Sequence, residues 1–429
     1  MTTRRGFTAD FEAKVAPEAL RDDKTIQEIA AKHKVHPNQV STWKRQTVNG
    51  RTLPPSQRLE KSSANQLALA DEGSPMVAMN FIEGTHAFSE AELQRHEITQ
   101  YRVPRFYREH IRASGSYEQL KHIVEPSLQE FSSPGTLDTS GEGENTVVHG
   151  LQHKYDQTGL LLVTEQCAAF CRYCFRKRLV GKSKEEIAVD YEKVAEYITR
   201  HPEMNNVLLS GGDPFMLSTT RLHGIMDHLL PIPHLTSIRF GTKTITFNPR
   251  RFADVKLLGL FKRIVKAGKT PVIVAHFDHF AEFSEEAENR ILELREGGVQ
   301  FLNQAVLLAG VNDDPEILAA TIQKCHSVGV RPYYLFQGRP MMGASHFQVP
   351  LRRGVEIVRT ANQKLSGIEK TYRFIMSHRT GKIEILDLDD RGHLYLRYHQ
   401  CKDLDKIGRI FSLACPKDAL WLDDLYTDE

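Results

Sequence analysis

The sequence predicts an α/β fold, a parallel sheet wound into an open or partial (β/α) barrel, with a helical region ahead of it and an appended helix-turn-helix. Three observations predict it. Apolar runs of strand length recur between Leu160 and Ser377: LLLVT, NNVLLSG, SIRFGTK, TPVIVAHF, VQFLNQAVLL, RPYYLFQ and YRFIMS. Stretches of helical periodicity separate them, and such β-then-α alternation calls for parallel strands joined by crossovers. The 429 residues suffice for one large core plus appendages.

In chain order, residues 1–50 form a separate block. Phe7 to Leu20 has apolar residues at helical spacing, although Pro17 removes a backbone donor inside it. Thr25 caps IQEIAAKH, and Val35-His36-Pro37 turns into NQVSTWKRQ, placing Asn38, Gln39, Ser41, Thr42, Lys44 and Arg45 on the helix that would enter a groove. This block resembles the N-terminal domain of insertion-sequence transposase A proteins. Its excess charge is small, so DNA binding and a vestigial segment both fit. Residues 51–78, with Pro54 and Pro55, read as a linker. Residues 79–155 read as a helical region, with Tyr101, Phe106 and Tyr107 as packing anchors. Within it, Thr136 to Asn145 is Gly- and Glu-rich and predicts a surface loop. The barrel occupies 156–390, and 391–429 closes the chain.

Composition excludes several classes. Lys and Arg exceed Asp and Glu by only two, which argues against a chain built to coat nucleic acid or an anionic membrane. No apolar run approaches the ~20 residues that span a bilayer, and MTTRRGFTADFEAK lacks a signal core. A cytoplasmic protein is expected. Six cysteines in this length do not form a disulfide framework.

Cys167, Cys171 and Cys174 in CAAFCRYCFRKR have C-x3-C-x2-C spacing. Three thiolates hold a [4Fe-4S] cube and leave one iron for an external ligand, here S-adenosylmethionine. A zinc site would need a fourth ligand, and Cys325, Cys401 and Cys415 make no second short-spaced pair. Further on, Ser210, Gly211, Gly212 and Asp213 follow another strand-like run. Two glycines there would let backbone approach a ligand, with Asp213 adding a polar group.

The cluster motif, SGGDPF, HFDHF, LNQAVLLAGVND, RPYYLFQ, GASHFQ and HRTGK occur in that order. In this the chain resembles the lysine 2,3-aminomutase family of radical SAM enzymes over about Ile98 to Leu388. The resemblance implies an open (β/α) barrel, a [4Fe-4S] cluster with S-adenosylmethionine, pyridoxal 5′-phosphate, and transfer of an α-amino group to the β-carbon. That pairing has a chemical logic: removing hydrogen from an unactivated carbon needs a radical, and moving nitrogen needs a π bond to it. The resemblance assigns Lys382 as the imine-forming lysine and Arg176 as partner of the substrate carboxylate. It points to His153 and Lys154 for the pyridoxal phosphate, with Thr158 where relatives often carry an arginine. His276 and Gln304, along with Asn303 and His346, are candidates for contact with S-adenosylmethionine or the pyridine ring. Arg172, Lys177 and Arg178 share the basic stretch, where plain surface charge is the alternative. A flavodoxin- or ferredoxin-like electron donor and a symmetric homodimer or higher oligomer are the expected partners.

The pattern also departs from the family. Arg339 and Ser377 stand where lysine-specific members place two aspartates. A guanidinium ~4 Å from a substrate ammonium would repel it by about 4 kcal/mol at an effective dielectric near 20. The expectation is therefore glutamate or another non-basic amino acid, with lysine as the alternative should Arg339 pair with a structural carboxylate and Asp313 take the ammonium. The C-x-C-x2-C zinc ligands of the family's C-terminus are missing. A DNA-binding regulator with a SAM-sensing barrel is the rival from another class.

Overall fold

The computed structural model describes residues 26–35, 40, 81–83, 99–132, 135–182 and 185–426. The chain divides into two compact units, Met1–Gly73 and Ser74–Glu429. In the first, α1 (Ile26–His33) is the expected IQEIAAKH helix, with Ile29 and Ala30 buried. The other pieces of the helix-turn-helix expectation, Phe7 to Leu20 and NQVSTWKRQ apart from Val40, lie outside the described residues, as does 51–75.

The second unit opens with β1 (Phe81–Glu83) antiparallel to β2 (Arg102–Pro104), followed by α2 (Arg105–Ala113) and α3 (Tyr117–Val124). The expected helical region is thus part helix and part strand, because β3 (Thr146–Val148) and β4 (Leu151–Tyr155) also fall inside it. Tyr101 and Tyr107 are buried anchors as expected, and Tyr107 donates to Glu282 at 2.8 Å.

Seven parallel strands follow: β5 (Thr158–Thr164), β6 (Asn206–Gly211), β7 (Ser237–Thr242), β8 (Thr270–Ala275), β9 (Gln300–Leu307), β10 (Arg331–Gln337) and β11 (Arg373–His378). Each coincides with one of the apolar runs. The helices crossing between them are α4 (Tyr191–Thr199), α5 (Thr219–Leu229), α6 (Thr244–Phe247), α7 (Val255–Lys266), α8 (Glu285–Glu296), α9 (Pro315–Ser327) and α10 (Leu351–Gln363). Side chains of Asp190, Ser218, Asp254, Ser284 and Asp314 accept from the first-turn amides of α4, α5, α7, α8 and α9, so five of the six crossovers carry a polar helix cap, while α10 follows Pro350 without one. Behind the caps, apolar residues three and four apart, such as Leu257, Leu260, Phe261 and Ile264, bury one helix face against the sheet.

Antiparallel strands flank the parallel set. β4 and β3 extend one edge, while β12 (Gly381–Leu388), β13 (His393–Cys401) and β14 (Ile410–Ala414) extend the other. The ladder is therefore an open barrel. Lys154 on β4 reaches across the gap, its ammonium donating to the carbonyl of His378 on β11 at 3.2 Å.

Phe215 lies fully buried in the core, 5.4 Å from Phe240 and 4.7 Å from Phe252, ring to ring. Phe215→Ala leaves a cavity there and lowers unfolding stability by about 3–5 kcal/mol, measurable by chemical denaturation.

Candidate active site

Inside the barrel and at the C-terminal ends of its strands lies a cavity of about 350 Å³, the position where (β/α) barrels place their chemistry. Cys167, Cys171, Cys174 and Lys382 wall this one cavity together. The cysteines sit on the loop leaving β5, free of disulfides. Burial pushes all three thiols up, so as bare thiolates they are poorly solvated, and a metal cluster is the kind of partner that stabilises them. Between the last two, Tyr173 bonds Asp278 through its hydroxyl, and Asp278 pairs with Lys243 at 2.9 Å. Lys243 also pairs with Glu282 at 2.9 Å, which locks the cysteine loop to the end of β8.

Lys382 is the second residue of β12, one place beyond Gly381 and the Arg379–Thr380 turn, and stands opposite Ser377 in register. Its ammonium donates to Gln400 Oε1 at 2.9 Å and lies 5.1 Å and 5.2 Å above the rings of Tyr155 and Tyr334. Burial, aided by the charges of Arg239, Arg339 and Lys154, brings its pKa down to about 7.

Arg176 is buried in the cavity wall. Its Nε and Nη2 lie 2.9 Å and 2.8 Å from Glu142 Oε1, and its Nη1 donates to Ser210 at 2.8 Å. Glu142 also holds Arg178 at 2.6 Å; burial opposes its ionisation, yet the two guanidiniums keep its carboxyl below the usual range. Arg339 bonds the hydroxyls of Thr139 and Ser140, and its guanidinium sits 4.5 Å above the Phe175 ring. Burial first, then the neighbouring Arg176, lowers its pKa to about 10 even with Glu142 close by.

Several expectations need correction. Residues 136–145 are more than a surface loop: Thr136, Asp138, Gly143 and Glu144 are exposed, but Thr136 pairs with Met341, and Ser140, Glu142 and Asn145 form cavity wall. His153 is not in the cavity. It faces outward on β4 between the inward Gln152 and Lys154, bonded to Tyr197 at 3.1 Å and to the Asp156 carbonyl at 3.0 Å. Lys154 does line the cavity, with its ammonium bonded to the carbonyls of Ser140 and His378. Gly211 and Gly212 admit neighbouring backbone: a Cβ would stand 2.4 Å from Thr164 O and 2.2 Å from Gln166 O. The Asp213 carboxylate is engaged within the chain, accepting from Thr242, Thr244, Lys243 and Phe215 at 2.7–3.0 Å. Asn303 bonds the Phe277 backbone, and neither it nor His346 lines the cavity. Asp313 caps Gly310 at 2.9 Å, outside the cavity. Arg172 is fully buried on Glu130 at 2.8 Å, and Lys177 joins them at 3.5 Å, so this stretch is not plain surface charge.

Ser210, His276, Gln304, Arg339 and Ser377 all face the cavity, and His276 lies 3.1 Å from both Tyr173 and Asp278. Wall residues that went unnoticed in the sequence include Glu142, Gln152, Arg239, Lys243 and Gln400. Buried polar atoms around the cavity lack protein partners: Arg239 Nε, Gln152 Nε2 and Asn145 Oδ1. Such atoms suit a site that a polar ligand completes.

A parallel (β/α) sheet whose first strand leads into three clustered cysteines defines a radical SAM enzyme. A protein of Aquifex aeolicus provisionally named L-lysine 2,3-aminomutase is 38% identical over 82% of this chain and 95% of its own length. An L-lysine 2,3-aminomutase of Fusobacterium nucleatum is 35% identical over 56% of each chain, and a glutamate 2,3-aminomutase of Clostridioides difficile is 32% identical over 54% of each. The family profile described as Transposase matches residues 1–80. The chain belongs to the lysine 2,3-aminomutase family, and it is an isomerase. A [4Fe-4S] cluster and S-adenosylmethionine come with that class. Among the described residues no helix is long and apolar enough to cross a membrane.

Because the folded chain holds the Lys382 proton more weakly than the unfolded chain does, its burial costs stability below about pH 7, and the cost fades as pH rises toward 10.5. Lys382→Met in the cofactor-free protein is expected to raise Tm most near pH 6 and little near pH 10. Gly212→Ala forces a Cβ against the Gln166 carbonyl beside Cys167 and is expected to lower iron and sulfide per chain after reconstitution.

Proposed function

We propose that this protein is a pyridoxal 5′-phosphate-dependent amino acid 2,3-aminomutase acting on a substrate with an acidic or neutral side chain, glutamate first. The observation that carries this is Lys382, an amine poised near neutrality in the same cavity as the three cysteines. When bound, the cluster and S-adenosylmethionine supply a carbon radical, and pyridoxal phosphate supplies a π bond to the migrating nitrogen.

The chain's own residues supply binding and orientation. A neutral amine is the nucleophilic form, and the lowered pKa of Lys382 brings that form within reach near pH 7 without a dedicated base. Arg176 is clamped by Glu142 and Ser210, which leaves N–H donors on its Nη1/Nη2 edge for the substrate α-carboxylate beside the cysteines. The Gly211–Gly212 turn, where the Gly212 and Asp213 amides donate to the Thr164 and Gln166 carbonyls, can offer carbonyl oxygens to an ammonium such as that of S-adenosylmethionine.

Cavity charge supports the side-chain preference. Arg339 bonds hydroxyls, while Glu142 is taken up by Arg176 and Arg178, so the guanidinium is left to a ligand. Among the described residues the acids lining the cavity are Glu142 and Asp213, both engaged, so none of these carboxylates is left for a distal ammonium. The names of the relatives favour lysine; this arrangement favours glutamate.

Incubating the reduced, reconstituted protein with glutamate and lysine side by side tests the reading. β-Glutamate is expected, and lysine turnover without glutamate turnover would overturn the substrate assignment. Arg339→Ala removes a buried charged contact and is expected to lower kcat/KM for glutamate by at least about 30-fold.

A further inference from the structure

A phosphorylated cofactor brings a dianion into the barrel, and the residues expected to meet it fall short: His153 points outward, and the Lys154 ammonium already bonds two carbonyls. The sheet register shows another donor. Gln152 pairs with Leu160, Leu160 with Leu208, and Leu208 with Arg239, so these four residues form one rung across β4, β5, β6 and β7. All four face the cavity. Two leucines make its middle apolar, while each end carries a buried nitrogen without a protein partner, Gln152 Nε2 and Arg239 Nε. Arg239 donates from Nη1 to Asn206 Oδ1 at 2.9 Å, which holds the guanidinium in place and leaves its other donors unused by that bond.

We infer that Arg239 is the phosphate anchor of the cofactor site, holding the phosphomonoester of pyridoxal 5′-phosphate at this rung while Lys382 receives its aldehyde. The inference rests on the cofactor reading above. Arg176 stands beside the cysteines and, like Arg339, against Phe175, whereas Arg239 lies mid-strand on β7. It is also the charge that acts most strongly on Lys382. A half-buried guanidinium whose Nε has no protein partner matches the geometry of a phosphate.

The test titrates the full chain, freed of cofactor, with pyridoxal 5′-phosphate or with unphosphorylated pyridoxal, following the absorbance of the lysine-linked form. Wild type is expected to prefer the phosphorylated compound, with inorganic phosphate competing against it and not against pyridoxal. Arg239→Met is expected to weaken pyridoxal phosphate by about tenfold or more and to leave pyridoxal within about twofold. Arg239→Lys, which keeps the charge and fold but not the fork, is expected to fall between. An unchanged preference in Arg239→Met, or in Arg239→Lys if the first variant does not fold, overturns the inference. The cofactor reading itself fails separately, if wild type gives no lysine-linked band with either compound or if Lys382→Ala gives the same band.

Discussion

Unbalanced positive charge in a closed space is the constraint on which this site depends. Lys154, Arg239, Arg339 and Lys382 share one cavity, while both lining acids are held by other partners. Burial and the neighbouring positive charges bring the pKa of Lys382 down to about 7, that of Lys154 to about 8 and that of Arg339 to about 10. A folded protein keeps such an arrangement at a cost in stability, and anionic ligands offset it. On the proposed reading, one physical fact links three functions: a lysine neutral enough to react, a guanidinium free for a substrate carboxylate, and donors for a phosphate.

The fold makes this possible by separating tasks between faces. Helices cover the outside of the parallel strands and bury the apolar residues, which frees the inward positions of β4, β7, β10 and β12 for polar groups. The ladder stays open between β4 and β11, and Lys154 spans the gap. Ion pairs then fix what the barrel presents: Glu142 aligns Arg176, and Asp278 with Lys243 anchors the cysteine loop through Tyr173.

Much of this was legible in the sequence, and the gaps have identifiable causes. The strands announced themselves through apolar runs, and Lys382 through its place after the turn that ends β11. Side-chain parity was the missed local signal. Gln152 and Lys154 must share a face that His153 cannot, and Ile238 and Phe240 mark Arg239 as inward between them. No local pattern reveals Glu142, since its partners Arg176 and Arg178 lie 34 and 36 residues away. Nor could spacing show that Asp213 closes a turn on Thr242 and Thr244 instead of meeting a ligand.

The central claim is that the radical source and the reactive lysine serve one substrate in one cavity. Anaerobic incubation with S-adenosylmethionine deuterated at the 5′ position, glutamate and pyridoxal phosphate, read by mass spectrometry, tests it most directly. Deuterium in the amino acid with wild type, and cleavage of S-adenosylmethionine without deuterium transfer in Lys382→Ala, is the predicted result. Transfer at the wild-type level in Lys382→Ala would contradict the account.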